Sequence, residues 1–165
     1  MKNLRDLLPQ EIEELLISMG EPKYRAKQVF KWLGRGIGSI DEMTDVPKAL
    51  REKLKTEYTL YKPAVLSKQV SKIDGTIKYL WELSDGNAVE TVVMSYKHGN
   101  TVCVSSQVGC RQGCAFCAST IGGLVRCLEP HEILEEVMFS EIDSGKKISN
   151  IVLMGIGEPL DNFDN

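Results

Sequence analysis

The chain has 165 residues, 42% of them hydrophobic and 26% charged, and 20 Lys and Arg against 23 Asp and Glu leave a net charge of −3. That balance excludes a basic tail-type nucleic-acid binder and an acidic disordered chain, while leaving room for a local basic face. No apolar run approaches the ~20 residues of a membrane-spanning helix, and the start Met1-Lys2-Asn3-Leu4-Arg5-Asp6 lacks the apolar stretch of a secretory signal. The expectation is a soluble, cytoplasmic protein with no membrane partner.

Residues 1–62 read as helical. Pro9 opens a segment in which Ile12, Leu15, Leu16 and Met19 recur at helical spacing until Gly20. Pro22 starts a second, Tyr24 to Leu33, stopped by Gly34, and Pro47 starts a third through Leu54. The second carries Lys23, Arg25, Lys27, Lys31 and Arg35 beside Tyr24, Phe30 and Trp32. Two readings stand: a solvated basic face over an aromatic core contact, or phosphate contact with an RNA partner.

From residue 64 the period changes to alternation. Ile77, Tyr79, Trp81 and Leu83 share one strand face with Lys78 and Glu82 on the other, and Asp74-Gly75, Asp85-Gly86-Asn87 and His98-Gly99-Asn100 are hairpin-type turns. Four strands in a meander are predicted, over 64–72, 76–83, 88–96 and 100–106. Further on, Pro130 suits the first turn of a helix with Ile133, Leu134, Val137, Met138 and Ile142 on one side, closed by Gly145. Ile151-Val152-Leu153-Met154 is then an unbroken apolar run, as expected of a strand covered on both faces. Strand, loop, helix, strand is a βαβ unit and implies a parallel pair. The expected class is α/β: a helical N-terminal module at 1–62, a β meander at 63–100, and at 101–165 the start of a partial (βα) barrel, incomplete in this chain.

The five cysteines, at 103, 110, 114, 117 and 127, sit together in a chain without a secretion signal. An odd, clustered set is a poor disulfide framework, so metal ligation or redox chemistry is the better reading. Within it, Cys110-Arg-Gln-Gly-Cys114-Ala-Phe-Cys117 is a C-x3-C-x2-C run. Three thiolates can hold a four-iron cluster that normally takes four, leaving one iron open to a ligand. The alternative is a zinc site completed by Cys103, Cys127 or His131, although no second C-x2-C knuckle is present. The first reading resembles the radical S-adenosylmethionine (SAM) enzymes, in which the open iron chelates SAM and cluster electrons split it to a radical. Gly155-Ile156-Gly157-Glu158-Pro159-Leu160 follows the apolar run at its carboxyl end, where ligands sit in parallel sheets, and its two glycines would let backbone approach a ligand closely. One βα unit after the cysteine loop, it is similar to the SAM-amino-group motif of those barrels.

With these motifs in view, the chain resembles the RlmN/Cfr family of radical SAM RNA methyltransferases, closest to its RlmN branch. Pro22 to Leu33, Met43-Thr-Asp-Val-Pro-Lys48, Val89-Glu-Thr-Val92, Val104-Ser-Ser-Gln-Val-Gly-Cys110 and Gly157-Glu-Pro-Leu160 all look like its blocks. The resemblance implies a [4Fe-4S] cluster on Cys110, Cys114 and Cys117, and SAM held at Gly157 and Glu158. It implies methylation of C2 of an adenine in 23S rRNA and in tRNA, with an external electron donor of flavodoxin or ferredoxin type. C2 is an electron-poor aromatic carbon without a lone pair, hence the radical route. The target adenine would have to leave its stack to reach the cluster. Glu90 matches the family's proton acceptor, and Ala88, Val92 and Met94 on its strand face would favour a raised carboxyl pKa. From its residues alone Glu90 reads as a solvent-facing strand glutamate. Cys103 matches the cysteine that pairs transiently with a methyl-carrying cysteine, while Cys127 has no counterpart and reads as structural.

An eight-unit barrel takes ~250 residues, and the family continues through further βα units to the methyl carrier. The expectation is therefore that this piece alone does not methylate RNA, and that it exposes sheet edges and apolar surface. A C8 methyltransferase of Cfr type and a non-catalytic zinc-bearing RNA-binding module are the alternatives.

Overall fold

A computed structural model describes all 165 residues, which divide into two compact units, Met1–Lys62 and Pro63–Asn165. The first holds β1 (Lys2–Asn3), α1 (Pro9–Ser18), α2 (Tyr24–Leu33), α3 (Lys48–Glu57) and β2 (Tyr58–Thr59), with β1 parallel to β2. Pro9 occupies the first turn of α1, and the Glu11 carboxylate accepts from the Leu8 N–H at 2.7 Å, meeting one orphan amide of the helix start. Gly20, at φ 80°, ends that helix, and the next amide donates back to Leu16 O at 2.9 Å.

The spacing read from the sequence delivers the core. Ile12 and Leu16 of α1, Val29 and Leu33 of α2, and Leu50 and Leu54 of α3 are buried together with Leu4, Ile40 and Met43. Each such side chain contributes ~1.5–3 kcal/mol by leaving water. Arg5 is the charged member, and its guanidinium donates to Tyr61 O at 2.8 Å and to Ile37 O. The aromatic core contact foreseen for α2 is not formed by two of its three rings. Tyr24 and Phe30 are exposed, because Ala26, Val29 and Leu33 already fill the inward stripe.

The second unit is a sheet with one helix across it. Its elements are β3 (Ala64–Val70), β4 (Ile77–Glu82), β5 (Ala88–Tyr96), β6 (Gly99–Cys103), a hairpin of β7 (Gln107–Gly109) and β8 (Leu124–Cys127), then α4 (Pro130–Ser144) and β9 (Ile148–Val152). The order is β3-β4-β5-β6-β9, the first four antiparallel and β9 parallel to β6, so α4 is the crossover of a βαβ unit. One face carries Ile77, Tyr79, Trp81, Val89, Val93 and Val102 into a core shared with Phe139 of α4. The other carries Lys78, Leu80, Glu90, Val92 and Cys103, placed together by the pairings Leu80–Glu90, Lys78–Val92 and Val92–Cys103.

Two expectations for this unit are overturned. The apolar side foreseen for α4 is not its buried side: Leu134 and Ile142 are exposed, and Ile133, Val137 and Met138 only flank the contact. Glu132, Glu135, Glu136, Phe139 and Ser140 face inward instead, where the Ser105 amide donates to Glu136 and Arg126 to Glu132. The second concerns β9, which is an edge strand rather than one covered on both faces. It ends at Val152, with Ile151, Leu153 and Met154 all exposed. The exposed edge and apolar surface expected of the barrel portion are present there.

Candidate cofactor site

The connector from Val104 to Gln107, between β6 and β7, is where the second unit's chemistry is assembled. The Ser105 Oγ–H donates to Glu90 O at 2.7 Å, and the same oxygen accepts from the Ile156 N–H at 3.1 Å. The Ser105 N–H donates to the Glu136 carboxylate at 3.0 and 3.2 Å, and the Thr91 hydroxyl donates to the same group. Ser106 and Gln107 give their amides to Ile156 O at 2.9 and 3.2 Å. One tetrapeptide thus ties the strand bearing Glu90, the crossover helix and the Gly155–Leu160 loop.

The loop's glycines are required by this approach. A Cβ on Gly155 would lie 2.6 Å from Val104 O, and one on Gly157 would lie 2.6 Å from Gln107 Cβ. Gly157 also has φ 106°, a region that side-chain-bearing residues avoid. The close approach read from the two glycines is therefore made to the chain's own connector. Gln107 is fully buried, its Oε1 accepting from the Glu158 N–H at 2.9 Å while its Nε2 donates to Cys127 Sγ at 3.4 Å. The Glu158 side chain turns back to accept from the Leu160 N–H at 3.0 Å, capping a short 3-10 turn.

The cysteine loop lies between β7 and β8. Gly109 has φ 74°, and a Cβ there would meet Gly123 O at 2.0 Å, so this corner admits glycine alone. Cys110 is buried and donates its amide to Gly123 O at 3.0 Å, Cys114 is exposed, and Cys117 is half-buried with its amide on Cys114 O at 3.0 Å. Across the site, Asp161 Oδ2 accepts from Arg111 Nε at 2.9 Å and from Gln112 Nε2 at 3.1 Å. The Arg111 guanidinium lowers the Asp161 pKa from its ordinary value, against a smaller desolvation effect.

All five cysteines are free thiols. Cys110, Cys114 and Cys117 share one short loop, yet no three Cys, His, Asp or Glu side chains are gathered into a metal-holding group. The donor set nevertheless fits an iron–sulfur cluster in its chemistry: three thiols, an exposed loop and Arg111 beside them. In such sites closure of the loop and binding of the metal are coupled, since thiolates converge on the charge that holds them.

Glu90 and Cys103 lie on the open sheet face. The apolar company expected for Glu90 is not its immediate environment: its Oε1 is 2.7 Å from Lys78 Nζ, with both side chains more than 40% exposed. Alternation placed Val92 and Met94 beside it along the strand, but the diagonal neighbour on β4 is a lysine. Cys103 is half-buried, and desolvation pushes its thiol pKa up, opposed by a hydrogen bond with the Met154 backbone.

Sequence reasoning missed Glu136. Burial pushes its carboxyl up to about 8, with Glu132 adding to the rise and the bonds from Thr91 and Ser105 opposing it. The hydropathy of α4 gave no sign of it, because its partners lie 31 and 45 residues away in sequence. Arg126 was missed likewise. It bridges Glu132 bidentately at 2.7 and 2.8 Å and Asp85 at 2.7 Å, and these carboxylates hold its pKa above the usual arginine value.

Comparison with known proteins places this geometry. Residues 2–60 match the family model described as ribosomal RNA large subunit methyltransferase N-terminal domain. The chain is 50% identical over 165 residues to the "Probable dual-specificity RNA methyltransferase RlmN" of Clostridium tetani, covering 100% of this chain and 47% of that protein. It is 52% identical over 164 residues to the protein of the same name from Desulforamulus reducens, covering 99% and 47%. A crystal structure of a radical SAM methyltransferase from Sphaerobacter thermophilus superposes with a TM-score of 0.86 at 41% identity, covering 99% of this chain and 49% of that one. The fold is therefore that of the radical SAM methyltransferase class. Within that class, the chain belongs to the RlmN family, and it spans about half the length of the curated relatives it matches. No helix is long and apolar enough to cross a membrane.

Proposed function

We propose that this chain supplies the RNA-gripping module and the cofactor-binding portion of a methyltransferase acting on C2 of an adenine in 23S rRNA and in tRNA. The observation that carries the reading is the joining of two loops by bonds that span about 50 residues of sequence. The cysteine loop and the Gly155–Leu160 loop are held together by Arg111 and Gln112 on Asp161, and by Gln107 on Glu158. Cys110, Cys114 and Cys117 are the cluster ligands in this reading, and Gly157 and Glu158 hold the SAM amino group. The bound cluster and SAM, with an electron donor of flavodoxin or ferredoxin type, supply the radical chemistry that an unreactive aromatic carbon requires.

The remaining roles belong to the open sheet face. Glu90 takes the proton released from C2 in this reading, with Lys78 Nζ 2.7 Å from its Oε1 on the same open face. Cys103, one strand away, would release product by attacking the sulfur of a methyl-carrying cysteine that none of the present residues supplies, the S–S bond forming as the sulfur–carbon bond to the base breaks and its electron pair passes to that carbon. In this reading the helical module meets RNA through the cations of α2 that have no partner in the chain. Lys23 is engaged by Glu13 at 2.6 Å and Arg25 by Gln28 at 2.8 Å, so the cations of α2's outer face left for RNA are Lys27 and Lys31.

The test is spectroscopic. After anaerobic reconstitution with iron and sulfide and reduction, SAM is expected to shift the electron paramagnetic resonance signal. Gly157→Ala is expected to weaken that shift while iron content stays the same, since its Cβ would displace Gln107 and the Glu158 amide. A signal indifferent to SAM would contradict the reading.

A further inference from the structure

We propose that the groove between α1 and α2 is a subsite for one unpaired RNA nucleotide, with its base on the Phe30 ring and its flanking phosphates on Lys27 and Lys31. The inference rests on the reading of RNA as substrate and adds to it a particular place and a particular form of RNA. The groove measures about 270 Å³, and Gln10, Glu13, Ala26, Lys27, Phe30 and Lys31 are among its lining residues. That is just below the ~300 Å³ at which small-molecule pockets begin, which suits a single planar ring system.

Its chemistry is set by helical spacing. Ala26, Lys27, Phe30 and Lys31 fall on one strip of α2, adjacent to the stripe of Val29 and Leu33 that fills the core. Phe30 is 47% exposed, so the module's packing does not account for a large aromatic at this position. Alanine at 26 keeps the wall beside the ring low. The Lys27 and Lys31 side chains make no ion pair or hydrogen bond within the chain, although Glu13 lines the same groove. The negative charge of Glu13 is met by Lys23 at 2.6 Å.

An exposed ring flanked by two unengaged ammonium groups fits a ligand that is flat and apolar at one point and anionic on either side of it. A nucleotide is such a ligand, since every base has a face to stack and every linkage carries a charge. Gln10 and the Glu13 carboxylate offer acceptors to the base's amino edge. An acidic peptide would meet the same lysines but would leave the ring without a planar partner. A base paired within a duplex keeps its faces covered by its neighbours, so the subsite selects unpaired RNA.

The experiment uses the full chain with a short single-stranded RNA, the same sequence as a duplex, and an acidic peptide as competitor. Phe30→Leu is expected to weaken single-strand binding about tenfold, within the range of one base–aromatic stack, and to leave duplex binding within about twofold. Phe30→Trp should restore it. Replacing Lys27 and Lys31 together with Gln should lower the slope of log affinity against log salt by about 1.4, from ~0.7 per phosphate on a single strand. Unchanged single-strand affinity in Phe30→Leu, equal loss on the duplex, or displacement of the RNA by the peptide would each overturn the subsite. If the unaltered chain bound no RNA, the subsite and the RNA-substrate reading would fall together. Binding that ignored Phe30 would remove the subsite alone.

Discussion

The interiors of the two units differ in what they hold besides apolar side chains. In residues 1–62 the interior is aliphatic, a cluster from Leu4 to Leu54 with Arg5 as its buried charge. In residues 63–165 the helix facing the sheet buries Glu132, Glu135 and Glu136, and the connector beneath it buries Ser105, Ser106 and Gln107. Burial of apolar surface is tolerant of sequence and indifferent to direction. Hydrogen bonds are directional, and each unmet one inside is penalised. Both units rest on an apolar core, and the one that has to place two loops against each other adds the directional interaction.

The largest expected effect sharpens that contrast in the helical unit. Leu16 is completely buried, and Leu16→Ala should lower the unfolding free energy by ~2–5 kcal/mol, measured by urea titration, with little dependence on pH. The sheet unit should behave oppositely. The Glu136 carboxyl has its pKa raised from 4.5 to about 8, so the folded state keeps a proton that the unfolded state loses. Its contribution is complete below pH 4.5 and is lost as pH rises towards 8. The slope in that window is up to ~1.4 kcal/mol per pH unit. The groups facing it are Thr91 on β5, Ser105 and Cys103 from β6 and the connector, and Glu132 on its own helix. Glu136→Gln should flatten the stability–pH profile between pH 5 and 8, read by thermal melts across buffers. A profile equally steep in the variant would break the comparison. The smallest effect concerns the loop latch. Asp161→Ala should leave the melting temperature unchanged, because Arg111 is largely exposed and such pairs are weak. It should speed amide exchange around Arg111 and Gln112 a few-fold.

The helices of the first unit and the strands of the meander are legible in the sequence because their periodicity is governed by local burial. Ile12, Leu16, Val29 and Leu33 are inward as spaced, and so are Ile77, Tyr79, Trp81 and Leu83. The cysteine loop and the Gly155–Leu160 loop announce themselves by residue type and spacing. What periodicity could not supply were interactions whose partners are remote. Glutamates on α4 count as outward in any hydropathy pattern, and they turn inward here, where Thr91 and the Ser105 amide donate to Glu136 and Arg126 to Glu132. The apolar run ending in Met154 has the composition of a covered strand, but composition does not reveal whether a neighbour lies beyond the edge. The lysine beside Glu90 follows from the β4–β5 register, which the turn sequence constrains without fixing.

The most direct test is the iron and sulfide content of anaerobically reconstituted chains, each lacking one of the five thiols. Near-complete loss of the cluster and its brown absorption is expected for Cys110→Ala, Cys114→Ala and Cys117→Ala, with Cys103→Ala and Cys127→Ala retaining both. Zinc in place of iron in the unaltered chain, or a cluster that survives removal of Cys114, would contradict the assignment.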